Sequence, residues 1–410
     1  MFSKEKRKKK VVFLIPGCQL SPRHELFATS LCKAGFSITV VSWNRGGKSL
    51  KKETRDYVDD WRILDVPAPT WNWRIVLVLP QLYKVLRSEL RSIEQTRIII
   101  ATHLSMLPAI LFMGSGVVKI YDAVEMYQLE FSFYFGRLQR FALPFFMLIE
   151  GVLAHSMNGV LTVDSAGGWL EKHFRFWSKH VEVLWNVPAS WQEPAFEKIK
   201  EAEIALEGRE VIAYVGGIMH EKGVRVALAA LALIKKFRPK ILLLLIGPMK
   251  DDPKILDKII QELQLDENVV LLAKMPYEEM QAYLVNTQVG LALYQRKRIY
   301  PWVGAGNGRK IFTYMQAGIP IVGPEFGCIG KSISLAQCGV LVNTEDPVAV
   351  ANAVITLLEH SNMSRRLGMA GKKKVKNEWN WDLESKKLLY FLENLGALPS
   401  TPIQLFGNVI

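Results

Sequence analysis

The chain uses one local pattern twice. Val11-Val12-Phe13-Leu14-Ile15 is a continuous apolar run that ends at Pro16-Gly17, and Val211-Ile212-Ala213-Tyr214-Val215 is a second that ends at Gly216-Gly217. A strand that is apolar at every position has both faces buried, the pattern of a parallel sheet covered by helices. After the first run, Ser21-Pro22 supplies an N-cap and a first-turn proline, Gly35 stops the helix, and residues 37–43 form the next strand. After the second, a helix from about 224 to 236 leads to a strand at 241–246 and to Gly247-Pro248. Further strands are expected at 97–101, 118–122, 159–163 and 181–185, then at 269–272, 289–293, 319–322 and 340–342. Strands alternating with helices imply two parallel-sheet α/β domains, with ligands at the C-terminal strand ends in a cleft between them. The polar, Glu-rich stretch 188–209 is the linker candidate, the first half ending near Asn186.

Length agrees with that division, because 410 residues exceed what a single hydrophobic core ordinarily supports. With 50% hydrophobic and 22% charged residues the chain is globular rather than disordered. The four cysteines (Cys18, Cys32, Cys328 and Cys338) have no CxxC spacing, which argues against a zinc ribbon or disulfide scaffold and suits a reducing, cytoplasmic compartment.

The net charge of +13 is concentrated at one end: residues 1–55 hold thirteen Lys/Arg against three Asp/Glu. It comes in two clusters, one from Lys4 to Lys10 and one at Lys48, Lys51, Lys52 and Arg55; a smaller patch lies at Lys372-Lys373-Lys374 with Lys376. An anionic membrane surface and a solubilising tail are both open readings. Nucleic acid is not supported, since no zinc-finger spacing or aromatic RNA-binding strand accompanies the charge.

The run at 11–15 is too short for the core of a signal peptide. The most apolar long window, 141–163, is interrupted by Pro144, Glu150, His155 and Asn158, so it reads as a buried helix followed by a strand. Trp71-Asn72-Trp73-Arg74 ahead of an apolar stretch reads as the entry to a core helix or as a bilayer-interface element.

Several short segments carry chemistry. Gly217 followed by Lys222-Gly223 can hold an anion on backbone N–H groups and neutralise it with the lysine, or can be a tight turn with a surface lysine. Val303-Gly304-Ala305-Gly306-Asn307-Gly308-Arg309-Lys310 places alternating glycines and two cations at a helix start, where a pyrophosphate would sit well. It lacks the Ser/Thr that a Walker loop requires. Asp122-Ala123-Val124-Glu125 puts two carboxylates at the end of a strand, as acid, base or sugar contacts, or as a capping Asp with a first-turn Glu. His103 follows the strand at 97–101 and is a ligand contact or a cap. The other histidines show no metal spacing, and no strand ends in a DxD pair.

Taken in order, these segments resemble the retaining glycosyltransferases of family 4, which have the GT-B fold, over nearly the whole chain. The resemblance rests on Ser21-Pro22-Arg23, on Thr102-His103-Leu104 with Leu107-Pro108-Ala109, on Ile120-Tyr121-Asp122-Ala123-Val124-Glu125, and on Trp185-Asn186-Val187-Pro188. It continues through Tyr214-Val215-Gly216-Gly217 with Glu221-Lys222-Gly223, the run from Lys310 to Pro320, Gly339-Val340-Leu341-Val342 with Asp346-Pro347, and Asn380-Trp381.

It implies two Rossmann-like domains facing across a cleft, an acceptor-side domain at 1–187 and a donor domain at 188–381, with 382–410 packing back on the first. It further implies transfer from a nucleotide-diphospho-sugar to a glycan or lipid-linked acceptor, with retention, no metal and no other cofactor, on the cytoplasmic side of a membrane that the basic N-terminal region can contact. By the resemblance, Gly17, Gly216, Gly217, Lys222, Gly247, Asn307, Gly308, Arg309, Lys310 and Thr313 serve the donor. Arg23, His103, Asp122 and Glu125 face the acceptor, and Asp122, Glu125 and Lys222 carry catalysis. The chain departs from the family pattern at Gly217 (usually Arg), Thr313 (usually Glu), Ala305 (its usual acidic partner) and Val124 (usually His). A catalytically degenerate GT-B protein that binds a membrane, glycan or partner is the alternative these departures raise, with a GT-B sugar-nucleotide epimerase third.

Overall fold

The computed structural model describes residues 9–46, 55–69, 74–163, 168–189, 193–296 and 308–398, without the side chain of Cys328. The basic run up to Lys8, the cluster at Lys48–Lys52, Trp71–Trp73, Ala305 and Asn307 lie outside the described residues. The chain divides into two compact units, Met1–Leu184 with Leu383–Ile410, and Trp185–Asp382.

In the first unit the order is β1 (Lys10–Ile15), α1 (Pro22–Lys33), β2 (Ser37–Asn44), β3 (Asp60–Asp65), α2 (Ile75–Ser92), β4 (Thr96–Ala101) and α3 (Leu107–Ile110). It continues with β5 (Val118–Ala123), α4 (Tyr127–Phe133), α5 (Gln139–His155), β6 (Gly159–Thr162), α6 (Trp169–Trp177) and β7 (Val181–Val183). The seven strands pair in parallel in the order β3-β2-β1-β4-β5-β6-β7. Val11 to Leu14 are fully buried, as a two-sided apolar strand requires. Ser21 caps α1 by accepting from the His24 N–H, and Pro22 opens the helix.

The second unit contains α7 (Phe196–Ala205), β8 (Val211–Val215), α8 (Val224–Lys235), β9 (Leu242–Ile246), α9 (Pro253–Glu262), β10 (Val269–Leu272), α10 (Tyr277–Val285) and β11 (Val289–Leu291). Then come α11 (Arg309–Ala317), β12 (Ile321–Pro324), α12 (Gly327–Ala336), β13 (Gly339–Val342), α13 (Pro347–Glu359) and α14 (Ser361–Asn377). Its six strands are parallel in the order β10-β9-β8-β11-β12-β13. A last helix, α15 (Trp381–Asn394), runs into the first unit. A Cβ added to Gly159 would stand 2.5 Å from Phe391, and Arg97 donates to the Ala397 and Gly396 carbonyls, so the C-terminal segment is stitched to β6 and β4.

Three expectations need correcting. The linker candidate 188–209 contains a helix not expected there, α7, whose Lys200–Glu203 pair has helical spacing. β3 has no counterpart among the expected strands, because acids end it and Arg62 interrupts its apolar pattern. The 141–163 window does hold a helix and then a strand, but α5 is buried on one side only, through Glu150, Gly151 and Ala154. α2 takes the core-helix reading, burying Ile75, Leu82, Leu86 and Leu90 around an internal Pro80.

Candidate functional site

Each sheet reverses its strand order once, β1 beside β4 in the first unit and β8 beside β11 in the second. At such a point the loops leave in opposite directions and open a crevice at the C-terminal strand ends. In the second unit the residues there are shaped by backbone geometry. Gly216 has φ +108° and Gly247 has φ +143°, and a Cβ on Gly247 would lie 2.3 Å from the Gly216 carbonyl oxygen. The loops after β8 and β9 are joined by Ile218 N–H to the Pro248 carbonyl (3.0 Å) and Lys250 N–H to the Ile218 carbonyl (3.0 Å). Gly223, at φ +83°, begins α8; a Cβ there would come within 2.1 Å of the Leu293 carbonyl oxygen. That fixes the short turn His220–Lys222 just before it.

Lysines converge on the Gly216-Gly217 turn. A Cβ on Gly217 would stand 3.3 Å from Lys250 Cγ and 4.0 Å from Lys222 Nζ; one on Gly216 would stand 3.9 Å from Lys310 Cε. Glycine at both positions leaves the space among these side chains open. Lys310, in the first turn of α11, is only 7% exposed. Its Nζ lies 3.9 Å from the Tyr214 ring centroid and 5.1 Å from that of Tyr294, and it has no hydrogen-bond partner among the described residues. Burial, and then the Lys222 charge, hold its pKa well below the ordinary lysine value. A desolvated ammonium beside a second cation is unfavourable until an anion arrives. No side chain among the described residues caps α8 or α11, so both helices turn first-turn N–H groups and positive dipole ends outward.

Tyr314 holds Lys310 in place from one turn further along α11. Its hydroxyl accepts from Val215 N–H (2.9 Å) and lies within donating distance of the Ala213 and Leu291 carbonyls, and its ring fills the space that Gly290 leaves. Thr313 hydroxyl donates back to the Arg309 carbonyl (3.2 Å), so it does not stand in for the family's carboxylate. Gly308 is buried at the N-cap of α11, whereas the Arg309 side chain is exposed. Gly247 buttresses Gly216. Sequence reasoning missed Lys250 and Tyr314; Lys250 could have been found as the cation that follows Gly247-Pro248 at the next strand end.

In the first unit, two of the residues expected on the acceptor side are buried against each other. Asp122 is fully buried and Arg23 is 2% exposed. Arg23 donates to both Asp122 oxygens (Nε to Oδ2 at 3.0 Å, Nη2 to Oδ1 at 2.9 Å) and to the Leu184 carbonyl (2.7 Å), while His24 Nε2 meets Asp122 Oδ2 at 2.8 Å. Burial alone would raise the Asp122 pKa, but the Arg23 charge and the His24 hydrogen bond outweigh it and hold it at about 2. The carboxylate is thus occupied in tying α1 to β5, and neither Asp122 nor Arg23 offers a free polar edge to an acceptor. Glu125 and Val124 are half-buried in the turn after β5. His103 is half-buried after β4, with Nδ1 at 2.8 Å from Ser105 Oγ and its ring 4.2 Å from that of Tyr127. Burial and the nearby Arg45 charge lower its pKa to about 3, so the ring is neutral. Gly17 follows β1, with no atom within 4 Å of an added Cβ.

Residues 195–374, most of the second unit, match the family model described as "Glycosyl transferases group 1". The D-inositol 3-phosphate glycosyltransferase of Corynebacterium urealyticum is 26% identical over 199 residues, 46% of this chain and 44% of that protein. The chain thus aligns with less than half the length of that relative. Sucrose-phosphate synthase from Thermosynechococcus elongatus superposes with a TM-score of 0.72 at 17% identity, covering 95% of this chain and all of the other. Anabaena HepE in complex with UDP-glucose gives 0.68 at 13% identity, covering 95% and 100%. The chain has the GT-B fold and resembles the family 4 glycosyltransferases, the sequence likeness to group 1 lying in its second unit.

Proposed function

We propose that the protein is a glycosyltransferase whose second unit binds a nucleotide-diphospho-sugar with its diphosphate on the Gly216-Gly217 turn. The observation that carries this reading is the Lys310 side chain, buried without a hydrogen-bond acceptor among the described residues and beside Lys222 where β8 and β11 part. The family match over 195–374 and the UDP-glucose complex of HepE support the choice of anion.

In this reaction the bond between the sugar's anomeric carbon and the diphosphate oxygen breaks, a bond from that carbon to an acceptor hydroxyl oxygen forms, the hydroxyl proton passes to the departing diphosphate, and negative charge grows on that diphosphate as it leaves. Lys310 and Lys222, with the N-termini of α8 and α11, meet that charge in a site already desolvated, which favours the transition state over the ground state. These groups supply the positive charge a divalent metal would otherwise bring, so the transfer proceeds without one and survives chelator. Retention at the anomeric carbon and a glycan or lipid-linked acceptor taken up by the first unit, in the cytoplasm, complete the proposal.

Calorimetric titration against UDP-, GDP- and ADP-sugars tests it. One nucleotide should bind, and Lys310→Met should weaken it about tenfold to a hundredfold, as expected when a charged hydrogen bond is removed. Absence of binding to all three by the folded protein sinks the proposal. The back-bonded Thr313 hydroxyl favours one second reading, a GT-B protein that binds nucleotide without turnover. Release of free nucleoside diphosphate in the presence of acceptor would exclude it.

A further inference from the structure

The first unit carries an apolar face that its described residues leave uncovered. Leu138, Phe141, Phe145, Leu148 and Val152 follow one another at spacings of three and four residues along and just ahead of α5, and each is between 51% and 63% exposed. The opposite side of α5 is anchored. Gly151 lies against the Trp177 ring of α6, Tyr121 hydroxyl donates to Glu150 (2.6 Å), and Phe146 stacks on Phe131 of α4 with centroids 5.7 Å apart. The stripe is therefore a fixed surface. Right-handed crossovers from this strand order place α2, α3, α5 and α6 on one face of the sheet and α1 on the other. Val76 and Leu77 at the start of α2 and Phe112 after α3 add exposed apolar side chains to the same layer, with Arg87 over the Phe112 ring.

Charge decides what covers it. Residues 131–149 contain no Asp or Glu, and Glu150 is buried. Arg137 and Arg140 are exposed beside the stripe, the Arg140 guanidinium 4.7 Å from the centroid of the Phe141 ring. The stripe's spacing would also suit a helix from a second copy. A symmetric pair, however, would bring the same arginines towards each other with no carboxylate from this segment to answer them. Phospholipid headgroups supply that negative charge, and acyl chains supply the apolar phase.

We propose that this face of the first unit docks on an anionic phospholipid bilayer, with Phe141, Phe145, Leu148 and Val152 entering the acyl boundary and Arg137 and Arg140 at headgroup level. No helix among the described residues is long and apolar enough to cross a membrane, so the contact is interfacial. The surface is separate in sequence from the basic N-terminal run, and its existence does not depend on the donor site.

Flotation of the full chain with vesicles of phosphatidylglycerol and phosphatidylcholine in equal parts, against phosphatidylcholine alone, tests the proposal. Phe141→Ser with Phe145→Ser should lower partitioning at least about tenfold, since two large apolar groups stay in water. Arg137→Gln with Arg140→Gln should lower it about fivefold per arginine on the anionic vesicles and little on the neutral ones. Thermal melts and nucleotide affinity should match the parent for both pairs, which separates failure here from failure of the donor reading. Partitioning that ignores the phenylalanine pair and vanishes with salt would overturn the proposal in favour of the basic terminus. A lipid-free dimer that Phe145→Arg breaks would overturn it in favour of a second copy.

Discussion

Asp122 and Lys310 are both buried charged groups at or near a strand end, one in each unit, and they differ in what surrounds them. Asp122 is met by Arg23 and His24 and tied through Arg23 to the Leu184 carbonyl. Lys310 is met by two aromatic rings, a second lysine and, among the described residues, no acceptor. A buried charge whose partners are complete holds elements together, because removing any member strands the others. One whose partner is missing stores unfavourable energy that a ligand can relieve. Completeness of partners separates architecture from site more sharply than residue type does, since carboxylate and ammonium look equally catalytic in the sequence.

The largest effect should come from breaking the complete network. Asp122→Ala leaves Arg23 buried without its carboxylate and should cost about 3–5 kcal/mol in urea unfolding of the first unit. A folded pKa of about 2, below the ordinary 3.8, means the stabilisation is present above that ordinary value and is lost as pH falls towards 2. The parent should therefore lose stability over that acid interval and the variant should not.

Glu150 tests the opposite sign. Burial raises its pKa to about 8 despite the Tyr121 hydrogen bond, and its second oxygen has no partner among the described residues. With the folded pKa above the ordinary 4.5, its contribution is fully present below 4.5 and is lost as pH rises through about 8. Glu150→Gln should match the parent at pH 4.5 and exceed it by roughly 4 kcal/mol at pH 8, with melting temperature against pH as the readout.

Much of the fold is readable because two-sided burial leaves an unbroken apolar run, as in β1, β8 and β9. β3 is not, since an edge strand needs only part of that pattern and Arg62 bonds sideways to Asp60 and Glu89 instead. In the site, the glycines and Lys222 are legible as a strand-end turn with a cation. The burial of Lys310 is not, because it depends on Tyr214 and Tyr294 from other strand ends. Tyr314 reads as an ordinary helix residue until two strands, β8 and β11, close around its hydroxyl. The pairing of Asp122 is hidden for the same reason: its partner Arg23 is 99 residues away, and no local pattern shows that they meet.

Lys310 itself offers the next test. A lysine whose pKa is held down by burial and by the Lys222 charge regains an ordinary value when an anionic diphosphate pairs with it, so binding takes up protons. Titrations in buffers of different ionisation enthalpy should show net proton uptake at pH values below the ordinary lysine pKa, and affinity should weaken as pH rises. Lys310→Met should abolish the uptake. Uptake that persists in the variant would place the linked proton on another group and remove Lys310 from the contrast with Asp122.

The smallest expected effect concerns Thr313. Its hydroxyl donates to the Arg309 carbonyl (3.2 Å) and also interacts with Tyr277 of α10, while its carbonyl accepts from Gln281 (3.2 Å), so position 313 is tied to α10 by backbone and side chain alike. The residue is 8% exposed and lies three positions beyond Lys310 on the same helix. Thr313→Glu would place a carboxylate one helical turn beyond Arg309, at the position that serves the sugar or ribose in the resembling enzymes. If the site accepts a nucleotide-sugar in the family's manner, the new carboxylate should tighten binding by about 1 kcal/mol, roughly fivefold, with the affinity for inorganic pyrophosphate unchanged. A loss of affinity for pyrophosphate as well would mean that the carboxylate has paired with Lys310, converting the open site into the closed arrangement seen at Asp122.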